Sequence, residues 1–224
     1  MSSVPQAPAA PRRAGQFGRQ EVRRVARRAL TVLAALLASG LVVGLAFGFT
    51  SMAFAGAEIV VLAALVLLDR RTSADIARRE RGAAGEELVG AILDDLGPAG
   101  WLTLHDVALG RGNIDHIAIG PAGIFTIETK SHRGPRRADR VADAWLSQAY
   151  AQRKLVERIT GEPVEPLLVF SHAYLIGRAV SRRRGVVILP ARLLPGHLAR
   201  RPARLDAGEV RSLHARLAAA LASA

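Results

Sequence analysis

The sequence predicts a mixed α/β domain that follows an apolar helical segment near the amino terminus. Two observations support this fold class. Residues 30–68 carry a single charge, and helical and strand patterns alternate in the residues that follow. The chain has 224 residues, half of them hydrophobic but only 4% aromatic, so its core must be aliphatic. The absence of cysteine excludes disulfides, zinc–thiolate sites, iron–sulfur clusters and a cysteine nucleophile.

Positive charge is concentrated on both sides of the apolar block. The formal net charge is +12, and residues 1–29 alone carry seven arginines and one glutamate. More arginines follow the block, at Arg70, Arg71, Arg78, Arg79 and Arg81, whereas the connection inside the block has none. Because positive residues flank membrane segments on the cytoplasmic side, we expect both ends to be cytoplasmic. Residues 1–29 are predicted to be a basic, disordered cytoplasmic tail.

The apolar block, residues 30–68, is predicted to form a transmembrane helical hairpin. A single helix of this length would measure about 58 Å, roughly twice the thickness of a hydrocarbon core. Two spans over about 30–49 and 53–68 fit better, which predicts a multi-pass protein of the cell membrane. The alternative is a signal peptide cleaved at Ala53-Phe54-Ala55, but the apolar run is too long and continues beyond that point.

Four residues inside the block carry further predictions. Gly40, Gly44 and Gly48 recur every four residues and therefore share one helix face. Such a face permits close approach of a neighbouring helix, for which Ala53 and Ala57 offer small partners, and it equally permits association into a homo-oligomer. Glu58 is the single charge of the block, and we expect it to snorkel or to be protonated. A transport or sensor function would depend on Glu58 alone.

The residues after the block are predicted to form a linker over 69–77, a globular domain over 78–190 and a C-terminal extension over 191–224. A helix is expected from Ser73 to Leu96, ended by Gly97-Pro98, and a last helix is capped by Asp206. Between them the predicted order is three strands, a helix and two strands, over 101–107, 113–119, 124–130, 141–159, 164–170 and 185–189.

One cluster of charged residues in these strands suggests chemistry. Glu128 and Lys130 are two residues apart on a strand and therefore share a face. Asp115 lies near the start of the preceding strand, so a hairpin would bring the two carboxylates together. Two carboxylates suit a hard cation such as Mg²⁺ or Mn²⁺, and an ammonium group beside them can stabilise negative charge. The alternative is an ordinary Glu–Lys pair facing solvent, because Glu-x-Lys alone is a common pattern.

Lys130 is itself informative because the chain has only two lysines among 31 basic residues. Arginine serves nearly everywhere else as the cation. Lysine differs from arginine in being compact and able to lose its proton. Its presence at position 130 therefore indicates a requirement for an ammonium group rather than for positive charge alone.

The segment 112–134, with Asn-Ile-Asp-His and Glu-Thr-Lys, resembles the nuclease-related domain (NERD) of the PD-(D/E)xK nuclease superfamily. The upstream Gly82-Ala-Ala-Gly-Glu-Glu87 resembles it as well, and the resemblance extends over about 78–190. It implies a restriction-endonuclease-like mixed sheet flanked by helices. It also implies that Asp115 and Glu128 bind a divalent metal while Lys130 assists the attacking water. Glu86 would be a further acidic member of the site, and Gln148 would line it.

These observations predict a membrane-anchored, metal-dependent nuclease that hydrolyses DNA, with RNA left open as a substrate. Nucleic-acid phosphates would be contacted by four arginines that follow the third strand, Arg133, Arg136, Arg137 and Arg140. No recognition helix is visible, so little base specificity is expected. The alternative is a catalytically inactive, membrane-tethered module that binds nucleic acid or acts as a scaffold, because a fold can persist without its chemistry.

Overall fold

The computed structural model describes residues 13–50, 52–109 and 112–222. The chain divides into two compact units. One comprises Phe17–Arg81, and the other is formed mainly by Gly82–Ala224. Two long helices, α1 (Gln16–Phe47) and α2 (Met52–Asp94), account for the first unit, and α2 continues into the second.

Helix α1 begins earlier than the predicted first span. It is 32 residues long, and within the described ranges it is the one helix that length and composition qualify to cross a membrane. The prediction of disorder over residues 1–29 is wrong for residues 16–29, which are helical because Arg, Ala and Gln favour helix formation. Residues 1–12 of that tail lie outside the described residues.

Helix α2 covers both the predicted second span (53–68) and the predicted linker (69–77). Residues 69–77 are thus helical, and their role as a linker stays a prediction. Hydrogen bonds between neighbouring turns support this stretch, from Ser73 Oγ to Asp69 and from Arg78 to Asp75, both 3.0 Å long. The apolar pattern thus ends near residue 68, but the helix continues.

The glycine-rich face of α1 lies against residues of the same unit. A Cβ atom at Gly44 would lie 2.3 Å from the Phe49 ring, and one at Gly40 would lie 3.3 Å from Glu58 Oε1. Gly48 follows the last residue of α1 and has a φ of +84°, so it ends the helix rather than extending its face. Close packing at Gly40 and Gly44 is therefore satisfied within the chain, without a second copy.

The second unit contains a six-stranded mixed sheet. Its strands are β1 (Leu102–Leu109), β2 (Gly112–Gly120), β3 (Gly123–Arg137), β4 (Val164–Ile176), β5 (Ser181–Arg183) and β6 (Val186–Pro190). The spatial order is β1-β2-β3-β4-β6-β5. The pairs β1–β2, β2–β3 and β5–β6 are antiparallel, whereas β3–β4 and β4–β6 are parallel. The central strands are therefore β3 and β4, which are covered on both faces.

Helices cover both faces of this sheet. Three follow α2 in the chain, namely α3 (Asp143–Thr160), α4 (Leu194–Ala199) and α5 (Ala207–Ala222). The end of α2 and helix α4 pack on one face through Val89, Leu93 and Leu198. Helices α3 and α5 pack on the other face, where Val156 and Leu217 meet the side chains of β2 and β3. Helix α5 thus completes the core, although sequence analysis assigned it to an extension.

The predicted mixed α/β class and the order of its main elements agree with the structure. Strand β3 is longer than predicted because its end, Arg133–Arg137, pairs with residues 172–176 of β4 past an irregularity between Lys130 and Arg133. Strand β5 and helix α4 were not predicted, since both are too short to show a period. The predicted turn at Arg111-Gly112 falls partly outside the described residues.

Candidate active site

The two predicted metal-binding carboxylates lie at neighbouring positions of adjacent strands. The β2–β3 ladder ends at the pair His116 and Ile127, so Asp115 and Glu128 occupy the next position along each strand. Asp115 Oδ2 accepts a hydrogen bond of 2.6 Å from the Thr129 backbone N–H. A side chain thus replaces the backbone pairing at this point. As a result, Asp115 is tied directly to the strand that carries Glu128.

Lys130 lies beside Glu128, as the two-residue spacing predicts. Its Nζ donates a hydrogen bond of 2.6 Å to Glu128 Oε1, and Glu128 is almost fully buried. The ammonium group also lies over the Trp145 ring, 5.4 Å from its centroid. A buried carboxylate needs such a partner, because an isolated buried charge is costly. The ion pair and the cation–π contact together hold the ammonium in one place.

Helix α3 presents one stripe of side chains to this pair. Trp145, Gln148 and Gln152 lie three and four residues apart, so they share a face of the helix. Gln148 Nε2 donates to Glu128 Oε2 at 2.8 Å, and Gln152 Nε2 donates to the same oxygen at 2.6 Å. Gln148 therefore contacts the site, as the family resemblance implied. Both oxygens of Glu128 are engaged by donors.

Glu86 approaches the site from α2, which lies unusually close to the sheet at Gly85. A Cβ atom at Gly85 would lie 1.7 Å from Ser131 Oγ and 2.6 Å from Ser171 Oγ, so only glycine fits. Ser131 Oγ also donates to the Gly82 carbonyl at 3.3 Å. The Gly-x-x-Gly-Glu motif thus has a physical role. It lets the helix lie so close to the sheet that Glu86 interacts electrostatically with the charged residues of the strands.

Burial and neighbouring negative charges raise the pKa of two carboxylates of the site, Glu86 and Asp115. Burial raises the pKa of Glu86 to about 7, and the charges of Asp106 and Glu128 add to this effect, whereas Lys130 opposes it. Burial and the charges of Glu128 and Glu86 likewise hold the pKa of Asp115 well above its usual range. Clustered carboxylates repel each other when all are ionised. A cation placed among them would relieve that repulsion.

Asp106 is an acidic residue of the site that sequence analysis missed. It lies opposite Asp115 on β1, is 2% exposed and adopts a φ of +52°, which is uncommon for residues other than glycine. It accepts a hydrogen bond from Asn113 Nδ2. The sequence holds a weak signal, since Asp tolerates this conformation better than most residues, but nothing in the pattern marks position 106.

His116, the neighbour of Asp115, points to the opposite face of the sheet. Its Nδ1 lies 2.9 Å from His105 Nδ1, and His105 Nε2 lies 2.9 Å from Asp94 Oδ1. Burial lowers the pKa of His116 to about 3, and His105 adds to this effect. His116 is therefore a neutral residue under α2 and is separate from the carboxylate cluster.

The four predicted phosphate-binding arginines lie along the end of β3 and the short 3₁₀ turn at Ala138–Arg140. All four are exposed, and Arg137 is paired with Asp139 at 3.0 Å. Partial burial lowers the pKa of His132, and the charge of Arg136 adds to this effect. The His132 ring lies 5.0 Å from that of Trp145. The cationic strand end is thus connected to the Lys130 environment through His132 and Trp145.

The donor set fits a hard divalent cation in chemistry but supplies few ligands. Asp115 and Glu128 offer carboxylate oxygens, the donors that Mg²⁺ and Mn²⁺ prefer. Across the described ranges, no group of three or more His, Asp or Glu side chains is arranged to hold a metal ion. Because Mg²⁺ usually keeps several waters and takes one or two carboxylates, a two-carboxylate site remains compatible with it.

Comparison with known proteins identifies the segment that carries this site. The family model described as nuclease-related domain matches residues 81–171. Residues 81–171 are therefore similar to a nuclease-related domain. The match includes Glu86, Asp115, Glu128, Lys130 and Gln148, which confirms the family resemblance drawn from the motifs. A nuclease-related domain suggests nuclease-related chemistry, use of a divalent metal and interaction with nucleic acid in general terms.

The chain also has a curated relative. The chain is 29% identical over 101 residues to an uncharacterized protein of Bacillus anthracis, and the match covers 43% of this chain and 47% of that protein. The chain thus spans about half the length of that relative. No solved structure matches the chain significantly.

Proposed function

We propose that this protein is a membrane-anchored nuclease that uses Mg²⁺ or Mn²⁺ to hydrolyse phosphodiester bonds of DNA. The observation that carries the proposal is the position of Asp115, held by the Thr129 backbone N–H, next to the Glu128–Lys130 ion pair in a segment that matches a nuclease-related domain. Two carboxylates on adjacent strands and one ammonium group match the charge requirement of phosphoryl chemistry.

Each residue has a distinct part in this proposal. A divalent cation on Asp115 and Glu128 would polarise a phosphate and lower the pKa of a bound water. Lys130 holds Glu128 in place and can stabilise negative charge that develops on the phosphate. Gln148 orients Glu128 from α3, and Glu86, with a pKa near 7, can accept or release a proton at neutral pH.

The membrane anchor in this proposal is α1, alone or with the apolar beginning of α2 as a second span. The length and composition of α1 support one crossing. Arginines precede residue 30 and follow residue 68, and they favour a cytoplasmic position for the nuclease-related domain when both apolar segments cross, because two crossings return the chain to the same side. Homo-oligomer formation is not needed to cover Gly40 and Gly44, and its test is the mass of the detergent-solubilised protein.

An inactive nucleic-acid-binding or scaffold module is the second candidate. The observation that favours it is that both oxygens of Glu128 already accept hydrogen bonds from side chains. This arrangement can hold Glu128 without a metal. Cleavage separates the two candidates, because a binding module retains salt-sensitive DNA affinity but leaves the phosphodiester bonds intact.

The deciding experiment uses the full chain in detergent micelles with labelled single- and double-stranded DNA, and RNA in a parallel series. Each reaction contains Mg²⁺, Mn²⁺ or a chelator. We expect metal-dependent cleavage of DNA, lowered about 100-fold or more in Asp115→Asn and in Lys130→Met. Glu162→Gln removes an exposed carboxylate at the other end of the sheet and should retain wild-type activity. DNA binding without cleavage by the wild type would overturn the proposal in favour of the inactive module.

A further inference from the structure

We infer that Gln152 is a positioning residue that fixes Glu128 relative to the β2 segment carrying Asp115. This inference rests on the proposed function, because it assigns a role to a residue of the same site. Gln152 lies on α3, one turn beyond Gln148, and no motif marks it. Its side chain is the one described link that joins β2, β3 and α3 at the candidate site.

The hydrogen bonds of Gln152 define its role. Its Nε2 donates 2.6 Å to Glu128 Oε2 and 3.1 Å to the Asn113 backbone carbonyl. An amide nitrogen has two hydrogens, so both are used. The two acceptors also set the orientation of the amide, since a flipped side chain would place its oxygen against the carboxylate.

The position of these bonds in the sheet gives them their importance. The β2–β3 ladder ends at His116 and Ile127, so Asn113 and Asp115 lie beyond the last backbone pair with β3. Two side-chain links bridge the strands past this point: Asp115 to the Thr129 N–H, and Gln152 between Asn113 and Glu128. Gln152 thus links β2 to β3 where backbone pairing between them has ended, next to the two carboxylates.

The burial of Gln152 argues against a role in packing alone. The residue is 7% exposed, and its Oε1 is buried without a hydrogen-bond partner. An unpaired buried acceptor lowers the stability of the folded state, a penalty that an apolar side chain at this position would avoid. Thr129 Oγ1 and Asn113 Oδ1 are also buried and unpaired, so unsatisfied polar atoms gather around the two carboxylates. Unsatisfied buried polar atoms are uncommon in folded proteins, and a bound ion or a catalytic role is among their known explanations.

The framework around Gln152 is suited to holding a carboxylate still. Leu146, Ala149 and Val156 on the same helix are buried in the core, so α3 cannot shift easily. Partners that orient a metal-binding carboxylate typically change metal affinity or activity 10- to 100-fold when they are removed. Glu128 has two such partners on α3, of which Gln152 is the buried one.

The test uses the full chain in detergent with Gln152→Met, which keeps the length of the side chain but removes the donor. Thr160→Val is the matched control, because Thr160 is a buried hydrogen-bonding residue of the same helix, away from the site. The milder Gln152→Asn should give exchange rates and Mn²⁺ affinities between those of wild type and Gln152→Met. It replaces Gln152→Met in the test if that variant fails to fold. Amide hydrogen exchange is measured by mass spectrometry on peptides that cover Asn113–Asp115 and Thr129, without metal. Mn²⁺ affinity is measured by calorimetry.

We expect exchange in these peptides to be at least about tenfold faster in Gln152→Met than in wild type, and Mn²⁺ affinity to fall about tenfold. Both quantities should be unchanged in Thr160→Val. Wild-type exchange and wild-type Mn²⁺ affinity in a folded Gln152→Met would overturn the inference and leave the proposed function intact. A wild-type protein that binds no Mn²⁺ would instead count against the proposed function, and the exchange data alone would then decide the role of Gln152.

Discussion

Glu86 has an environment that changes its proton affinity in the range of physiological pH. It is partly buried, and the charges of Asp106 and Glu128 add to burial in raising its pKa to about 7. In the unfolded chain a glutamate titrates near its ordinary value of 4.5. Between these two pH values the folded protein therefore holds a proton that the unfolded chain releases.

This difference predicts how stability depends on pH. Because the folded state binds more protons than the unfolded state between about pH 4.5 and 7, the contribution of Glu86 to the free energy of unfolding falls as pH rises through this window. Glu86→Gln should remove this dependence. The free energy of unfolding of the variant, relative to that of wild type, should therefore be about 2 kcal/mol higher at pH 8 than at pH 4.5, a value reduced for solvent screening. Urea denaturation of both proteins at the two pH values measures this gain. Parallel pH curves would contradict the assignment.

The two lysines of the chain offer a matched comparison. Lys130→Arg keeps the positive charge but places a larger, planar group between Glu128 and Trp145. We expect cleavage to fall about 100-fold, because the ammonium position is fixed by both contacts. Lys154→Arg changes an exposed lysine paired with Glu157 and should leave the rate unchanged. Single-turnover cleavage assays compare the two, and equal rates would show that position 130 requires only charge.

Single residues also show how far sequence analysis reaches. The two-residue period of a strand places Glu128 beside Lys130, and hairpin geometry places Asp115 across from them. Asp106, Trp145 and Gln152 were missed for different reasons. Asp106 depends on a local backbone conformation, whereas Trp145 and Gln152 depend on which face of α3 the parallel crossover turns toward the strands. The sequence did contain one indication for Gln152: it follows the predicted site residue Gln148 by four residues, which places both on the same face of a helix.

Among the elements, α2 was difficult to predict because two of its glycines have different structural roles. Gly82 and Gly85 weaken the helical pattern equally in sequence, yet only Gly85 lies against the sheet. Helix propensity describes the local chain and cannot register a contact with Ser131 and Ser171, more than 40 residues away. The other helices and strands with a clear period were predicted to within a few residues, apart from the start of α1 and from the ends of β3 and β4, which pair with each other.

The two glycines of α2 should respond oppositely to alanine. Gly85→Ala forces a Cβ to within 1.7 Å of Ser131 Oγ and should destabilise the protein by about 1–3 kcal/mol while displacing Glu86. Gly82→Ala meets nothing within 4 Å and should stabilise the helix by about 0.5–1 kcal/mol. Denaturant midpoints of the two variants should therefore lie on opposite sides of wild type. A stable Gly85→Ala would mean that α2 does not need close contact with the strands.

At the scale of the whole molecule, the net charge of +12 alone does not locate a nucleic-acid surface. Many arginines are engaged in ion pairs, such as Arg183 and Arg184 with Asp143 at 2.8 and 3.2 Å. The arginines at the end of β3 are different because they continue directly from the strand of Glu128 and Lys130. Position relative to the candidate site therefore matters more than the total charge.

This placement predicts a salt-dependent effect that is local. Arg136→Ala should lower DNA affinity and reduce the slope of log affinity against log salt by about 1. Arg158→Ala removes the same charge from an exposed position near the end of α3 and should change neither quantity. Fluorescence anisotropy with the full chain over a range of salt concentrations measures both. Equal effects of the two variants would indicate that DNA affinity depends only on the net charge of the protein.

The parallel pairing of β3 and β4 has a consequence for the order in which the protein matures on the ribosome. Glu86, Asp115, Glu128, Lys130 and Gln148 are all translated before β4, the strand that borders β3 up to Arg137. A nascent chain that ends at Thr160 thus contains every predicted site residue, but one side of β3 is still bare. Since domains generally fold as units once their chain has emerged, we expect these side chains to come together only after residue 176 has left the exit tunnel. Translation therefore delays assembly of the site until most of the domain has been made.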